Sequence, residues 1–183
     1  MGILLAVSVC VTEALIIAQM GIAHALPLHL CSLSALLALA VSVGADGFAL
    51  DFLWYLGMPA AAAALVFPAP AMSRYQMLMN LSYAVTHLLI IVIPVLTVLS
   101  GRRPGRRRGR MMLLYLAAAA VPVYAVNRML GTDYMFLSAP PSGTPLELLY
   151  EFGIPGYHLC LLGLCALFSM LMQRLADIVF AGK

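Results

Sequence analysis

Residues 88–126 read LLIIVIPVLTVLSGRRPGRRRGRMMLLYLAAAAVPVYAV, and this stretch decides how the chain folds. Two apolar runs flank a short connection that carries Arg102, Arg103, Arg106, Arg107, Arg108 and Arg110. Extended to 81–99 and 111–129, each run is of the length a helix needs to cross a hydrocarbon core about 30 Å thick. Guanidinium groups do not enter lipid without cost, so the connection stays in water while its flanks enter the bilayer. Six arginines in one short loop place that loop on the cytoplasmic side and anchor the topology.

Working outward, apolar windows occupy 3–23, 27–43, 48–67, 81–99, 111–129 and 154–180. Together they predict an all-α fold, a polytopic bundle of about six transmembrane spans that makes 1–183 a single transmembrane domain. The 27–43 window is short, and either continues through Gly44 or sits where the bilayer is thinned. The first window has no basic segment ahead of it and no small-residue cleavage site, so it reads as a retained span. Counting from the arginine loop puts both termini in the cytoplasm and the 68–80 and 130–153 connections outside. Lys183 agrees with this orientation and Arg74 opposes it.

Composition says the same. Hydrophobic residues make up 64% of the chain, and ten Lys and Arg with seven Asp and Glu cannot dress the surface of a soluble protein of 183 residues. The apolar content excludes disorder, and four cysteines, three of them inside apolar runs, exclude a disulfide scaffold. The arginine run between two spans reads as an anchor that meets anionic headgroups, and no nucleic-acid partner is expected. The long 130–153 connection, rich in Pro, Gly and Ser and bearing Tyr134 and Phe136, reads as a lid or plug on the outer mouth.

Polar residues inside a bilayer are costly, so their depth is informative. With the orientation above, His29, Cys31, Asn80, Tyr83, His87, Asn127, Arg128, Asp133, Tyr157 and His158 all fall in the outer half. Cys31, about one turn into a helix starting at Pro27, fits either a thiolate held at the positive end of the helix or a small core hydrophobe. His87 fits either its base or a helix-to-helix hydrogen bond. His29 diverges from Cys31 by about 200° around the helix and suits a headgroup, the loop above or another span. That divergence weighs against a metal site, and neither metal nor cofactor is expected. Glu13, near the middle of the first window, fits a functional carboxyl or a protonated structural partner.

The segments LPLHLCS at 26–32, DFLWYLGMP at 51–59 and GTDYMFL at 131–137, with His87, Asn127, Pro140 and Pro141, resemble the bacterial YwaF-like integral membrane proteins. These are related to the eukaryotic transmembrane protein 164 family. The resemblance covers most of the chain from Leu26 to about Tyr157, and the chain departs from it at its start, where the relatives usually carry an additional apolar segment before the first window. The eukaryotic relatives are associated with phospholipid acyl transfer through a cysteine and a distant histidine, which fall on Cys31 and His87.

The function expected is therefore a membrane-embedded phospholipid acyltransferase or lipid hydrolase of the bacterial cytoplasmic membrane, working at the outer interface. Cys31 and His87 form the catalytic pair, while His29, Asn127, Asp133 and His158 supply oxyanion or substrate contacts. Membrane phospholipids are the partners, with a lysophospholipid as acceptor. The alternative is a small transporter or lipid-binding protein without covalent chemistry, in which Glu13, Arg128 and Asp133 carry the recognition.

Overall fold

A computed structural model describes residues 1–68, 75–105 and 107–180, so Arg74, Arg106 and Lys183 lie outside the described residues. Among the described residues there is no strand. The principal helices are α1 Gly2–Met20, α2 Leu30–Ser42, α3 Phe48–Val66, α4 Gln76–Leu99, α5 Gly109–Leu130, the short α6 Leu146–Tyr150, and α7 Gly153–Phe180. Five of these (α1, α3, α4, α5 and α7) are long and apolar enough to cross a membrane. The protein is an all-α, multi-pass membrane protein.

The 27–43 window contracts in the structure. Its helix has 13 residues, about 20 Å at 1.5 Å per residue, and does not continue through Gly44. Gly44 has a φ of 105°, a conformation that suits glycine and ends the element. Pro27 is not the first residue of that helix. It lies in a turn, and His29 is the N-cap, so Cys31 is the second helical residue rather than one turn in.

At the centre of the bundle, α3 packs against α2, α4, α5 and α7. From Leu50 to Gly57 it is wholly buried. Leu53–Gly57 forms a widened π turn. Pro59 follows, and it has no N–H to return to the carbonyl one turn back, so the helical ladder shifts just ahead of it. One apolar cluster joins Leu5, Ala35, Ala38, Leu50 and Ile90, and a second joins Phe52, Trp54, Tyr55, Met112 and Leu116. The helices α1 and α4 are further stitched by hydroxyls. Ser8 Oγ lies 2.7 Å from Thr86 Oγ1, and Ser82 Oγ donates to the Ser8 carbonyl at 2.7 Å.

The arginine connection does more than face headgroups. Asp51, in the first turn of α3, is buried, and Arg108 donates to its Oδ2 at 3.1 Å while the Gly105 N–H donates to Oδ1. Arg102 pairs with Asp46 at 2.6 Å and also donates to the Ala45 carbonyl. The Arg103 guanidinium lies 5.4 Å from the centre of the Phe180 ring. A carboxylate carried into the bundle needs a partner to offset lost hydration, and the loop supplies it. The Tyr55 hydroxyl reaches the Gly105 carbonyl and Gln173 Oε1, each at 3.0 Å, so α3, α7 and the loop close this end together.

Candidate functional site

The opposite end is hollow. A cavity of about 1470 Å³ lies between the helices and extends to the loop after α5. Its space comes from small side chains, notably Ala60, Ala61 and Ala64 on α3 and Ala117 and Ala120 on α5. In sequence these are two alanine runs, 60–64 and 117–120, which read simply as apolar span. What marks them is that both runs lack any bulky residue to fill the gap between helices.

His29, Cys31, His87 and His158 all border this cavity. His87 is buried on α4, and its Nδ1 donates to the Tyr83 carbonyl one turn back at 2.8 Å. A carbonyl can only accept, so the neutral ring carries its lone pair on Nε2. The Tyr83 ring lies against the imidazole at 4.0 Å between centres, and its hydroxyl donates to the Ala64 carbonyl at 2.9 Å. Among the described residues no hydrogen bond joins Cys31 to His87, and no cluster of three His, Cys, Asp or Glu is placed to hold a metal ion.

His29 has the opposite tautomer. Its Nδ1 accepts the Met135 N–H at 3.3 Å, and its ring packs between Tyr134 and Phe136 at 4.9 and 5.4 Å. His158 Nε2 donates to the Leu137 carbonyl at 2.6 Å. Both histidines thus hold the loop while facing the cavity.

Asn127 and Asp133 do not border the cavity. Asn127 was expected as an oxyanion donor, but its amide is committed to the loop. Nδ2 donates to the Tyr134 carbonyl at 3.0 Å, and Oδ1 accepts from Thr132 Oγ1 at 3.1 Å and from the Tyr134 N–H at 2.8 Å. Gly131, with φ 67° and ψ 29°, turns the chain out of α5 at this point, a left-handed cap for which glycine is the natural residue. Asp133 likewise accepts the N–H groups of Ser138 and Ala139 at 2.8 and 3.0 Å. A buried amide or carboxylate takes the nearest donors, and free backbone N–H groups in an irregular loop outcompete a distant site.

The loop is fastened at several further points. The Tyr134 hydroxyl donates to the Ala23 carbonyl at 2.6 Å and accepts the Leu26 N–H at 2.9 Å, tying the loop to the α1–α2 connection. Burial raises its pKa above the ordinary 10.0. Met135 and Phe136 sit at φ 58° and 53°, left-handed values that side chains rarely adopt. Tyr157 on α7 holds the second of them by donating to the Phe136 carbonyl at 2.9 Å. Both strained residues border the cavity.

Glu13 on α1 also faces the cavity, and its Oε2 is buried without a hydrogen-bond partner among the described residues. Among the described residues the wall otherwise contains no Asp, Lys or Arg. Arg128 does not border it.

Neither the curated proteins nor the solved structures include a match to this chain. The family model for the TMEM164 family matches residues 1–173, nearly the whole length. The chain belongs to the TMEM164 family.

Proposed function

We propose that this protein binds a membrane lipid, with the acyl chain housed in the cavity between α3, α4, α5 and α7 and the ester region near the histidines. The observation that carries this reading is the cavity itself. Its volume of about 1470 Å³ exceeds the roughly 300 to 1,000 Å³ of ordinary small-molecule pockets, and its walls are mainly apolar. In a bilayer the abundant apolar ligand is lipid. The positive-inside rule supports an orientation with the arginine loop in the cytoplasm and the hollow end toward the outer leaflet, where phospholipid is at hand.

Filling the cavity tests this. Ala60→Trp and Ala120→Trp, each made in detergent-solubilised protein, are expected to weaken binding of a fluorescent acyl-chain phospholipid by at least about tenfold, or about 1.4 kcal/mol, while the protein still melts cooperatively. Unchanged binding in both folded variants overturns the reading.

A second reading, acyl transfer, is favoured by one observation. Cys31 and His87 border the same cavity, and the Tyr83 carbonyl leaves the lone pair of His87 on Nε2. In this reading His87 Nε2 takes the Cys31 thiol proton, the sulfur bonds to the ester carbonyl carbon, and the C–O bond of the phospholipid breaks. The departing lysophospholipid alkoxide recovers the proton from His87, and a second lysophospholipid, or water, later takes the acyl group from sulfur. The absence of a Cys31–His87 hydrogen bond requires the two to close on each other when lipid binds. Incubation with radiolabelled phospholipid is expected to leave a hydroxylamine-labile acyl group on the wild type, none on Cys31→Ser, and a label formed about 100- to 10,000-fold more slowly on His87→Ala. Lipid binding without any thioester leaves the first reading standing alone.

A further inference from the structure

The histidines, the threonines and Tyr83 around the cavity have hydrogen-bond partners inside the protein. Thr12 donates to the Ser8 carbonyl, Thr144 to the Pro141 carbonyl and Tyr83 to the Ala64 carbonyl, and the three histidine contacts are described above. Glu13 Oε2 differs, a buried oxygen with no hydrogen-bond partner among the described residues. It lies roughly 10 Å along the helix axis from the end of α1 at Met20, inside the bundle rather than at its rim. A buried oxygen left unpaired costs about 1 to 3 kcal/mol, so a group that satisfies it on binding gains that difference.

We propose that Glu13 is the recognition point for a free hydroxyl on a glycerolipid, accepting a hydrogen bond from it at Oε2. The proposal rests on the lipid-binding reading and names the ligand's chemistry within it. Among the described residues the wall supplies no lysine or arginine for a phosphate, whereas a hydroxyl brings the donor the carboxyl needs and no charge. The hydroxyl can belong to a diacylglycerol or to a lysophospholipid whose phosphate stays nearer the mouth, and the same contact serves both.

Two matched pairs of lipids test this by competition against a fluorescent acyl lipid on purified protein. One is 1,2-dioleoylglycerol and its 3-O-methyl ether, and the other is 1-oleoyl-lysophosphatidylcholine and its 2-O-methyl ether. Methylation keeps the oxygen and removes the donor. In at least one pair the free hydroxyl form is expected to bind about tenfold more tightly, and Glu13→Leu is expected to abolish that preference while the methyl ether binds as before. The responding pair tells which lipid class is the source. Should Glu13→Leu fail to fold, the isosteric Glu13→Gln is expected to cut the preference at least about threefold, an amide oxygen being a weaker acceptor than a carboxylate. No preference in either pair, or a preference that survives substitution of Glu13, overturns the proposal while lipid binding itself stands. Failure of all four lipids to bind overturns both this proposal and the lipid-binding reading.

Discussion

The two ends of the bundle spend their polar residues in opposite ways. At the arginine end Asp51 is met by Arg108 and Gly105, the Tyr55 hydroxyl by Gly105 and Gln173, and the Trp54 Nε1–H by the Met172 carbonyl at 3.3 Å. Bulky aromatic residues fill the space between them. At the other end alanines leave a gap, two histidines bond the loop while bordering the cavity, and among the described residues one carboxyl oxygen has no partner. The difference separates structural polarity from functional polarity. A polar group that closes a network stabilises the bundle, and a buried one left without a partner gains from a ligand that supplies it.

The sharpest way to break this comparison is to open the closed end. Arg108→Ala leaves the Asp51 carboxylate buried with only the Gly105 N–H, and is expected to cost about 2 to 3 kcal/mol of stability. That is less than the 3 to 5 kcal/mol of a wholly buried pair, because the Arg108 side chain is 52% exposed. Trp54, the single tryptophan, lies buried beside this network and reports the loss as an earlier fluorescence transition on heating in detergent. Full stability in Arg108→Ala would mean that the closed end is no better tied than the open one.

The loop over the cavity sharpens the comparison from the other side. Tyr134→Phe removes both hydroxyl bonds and is expected to loosen the loop by about 1 to 3 kcal/mol, read as faster amide hydrogen exchange at 132–138, with the global transition little changed. Its pH dependence has a definite sign. Burial raises the folded pKa of Tyr134 above 10.0, so its contribution is fully present below pH 10 and is lost as pH rises through the folded value. The exchange step above pH 10 should vanish in Tyr134→Phe; if it persists, another group anchors the loop.

The smallest effect belongs to the hydroxyl seam between α1 and α4. Ser8→Ala removes one member of a chain in which Ser82 retains Thr12 and the Ser8 carbonyl, and is expected to cost about 0.6 kcal/mol. A double-mutant cycle with Thr86→Ala measures the pair directly. A coupling above about 2 kcal/mol would make this seam, rather than the arginine end, the tightest polar joint.

Much of the helical layout was legible because the bilayer demands long apolar runs and the sequence separates them with polar breaks. The 48–67 window corresponds to α3 within a residue, whereas the 81–99 window understates α4, which begins at Gln76 because the polar Gln76 and Asn80 bound an apolar Met77–Met79 step that continues the helix. The widened turn at Leu53–Gly57 left no mark in hydropathy, since all of its residues are apolar or small. Site residues were legible only as a set. Cys31, His29, His87 and His158 reach one cavity, but depth alone gave no means of separating them from Asn127 and Asp133, whose partners are backbone groups of a loop with no periodic pattern.

The sequence by itself determined that this is an all-α membrane protein with an arginine-rich connection, because hydrocarbon thickness and the cost of burying charge act on composition and run length before any packing occurs. Only the tertiary structure decided that Arg102 and Arg108 meet Asp46 and Asp51, that Asn127 holds the loop, and that two alanine runs on α3 and α5 leave a cavity with Glu13 in its wall. Those outcomes depend on which faces of separate helices meet, and helix rotation is set by side chains distant in sequence that touch only after the bundle has assembled.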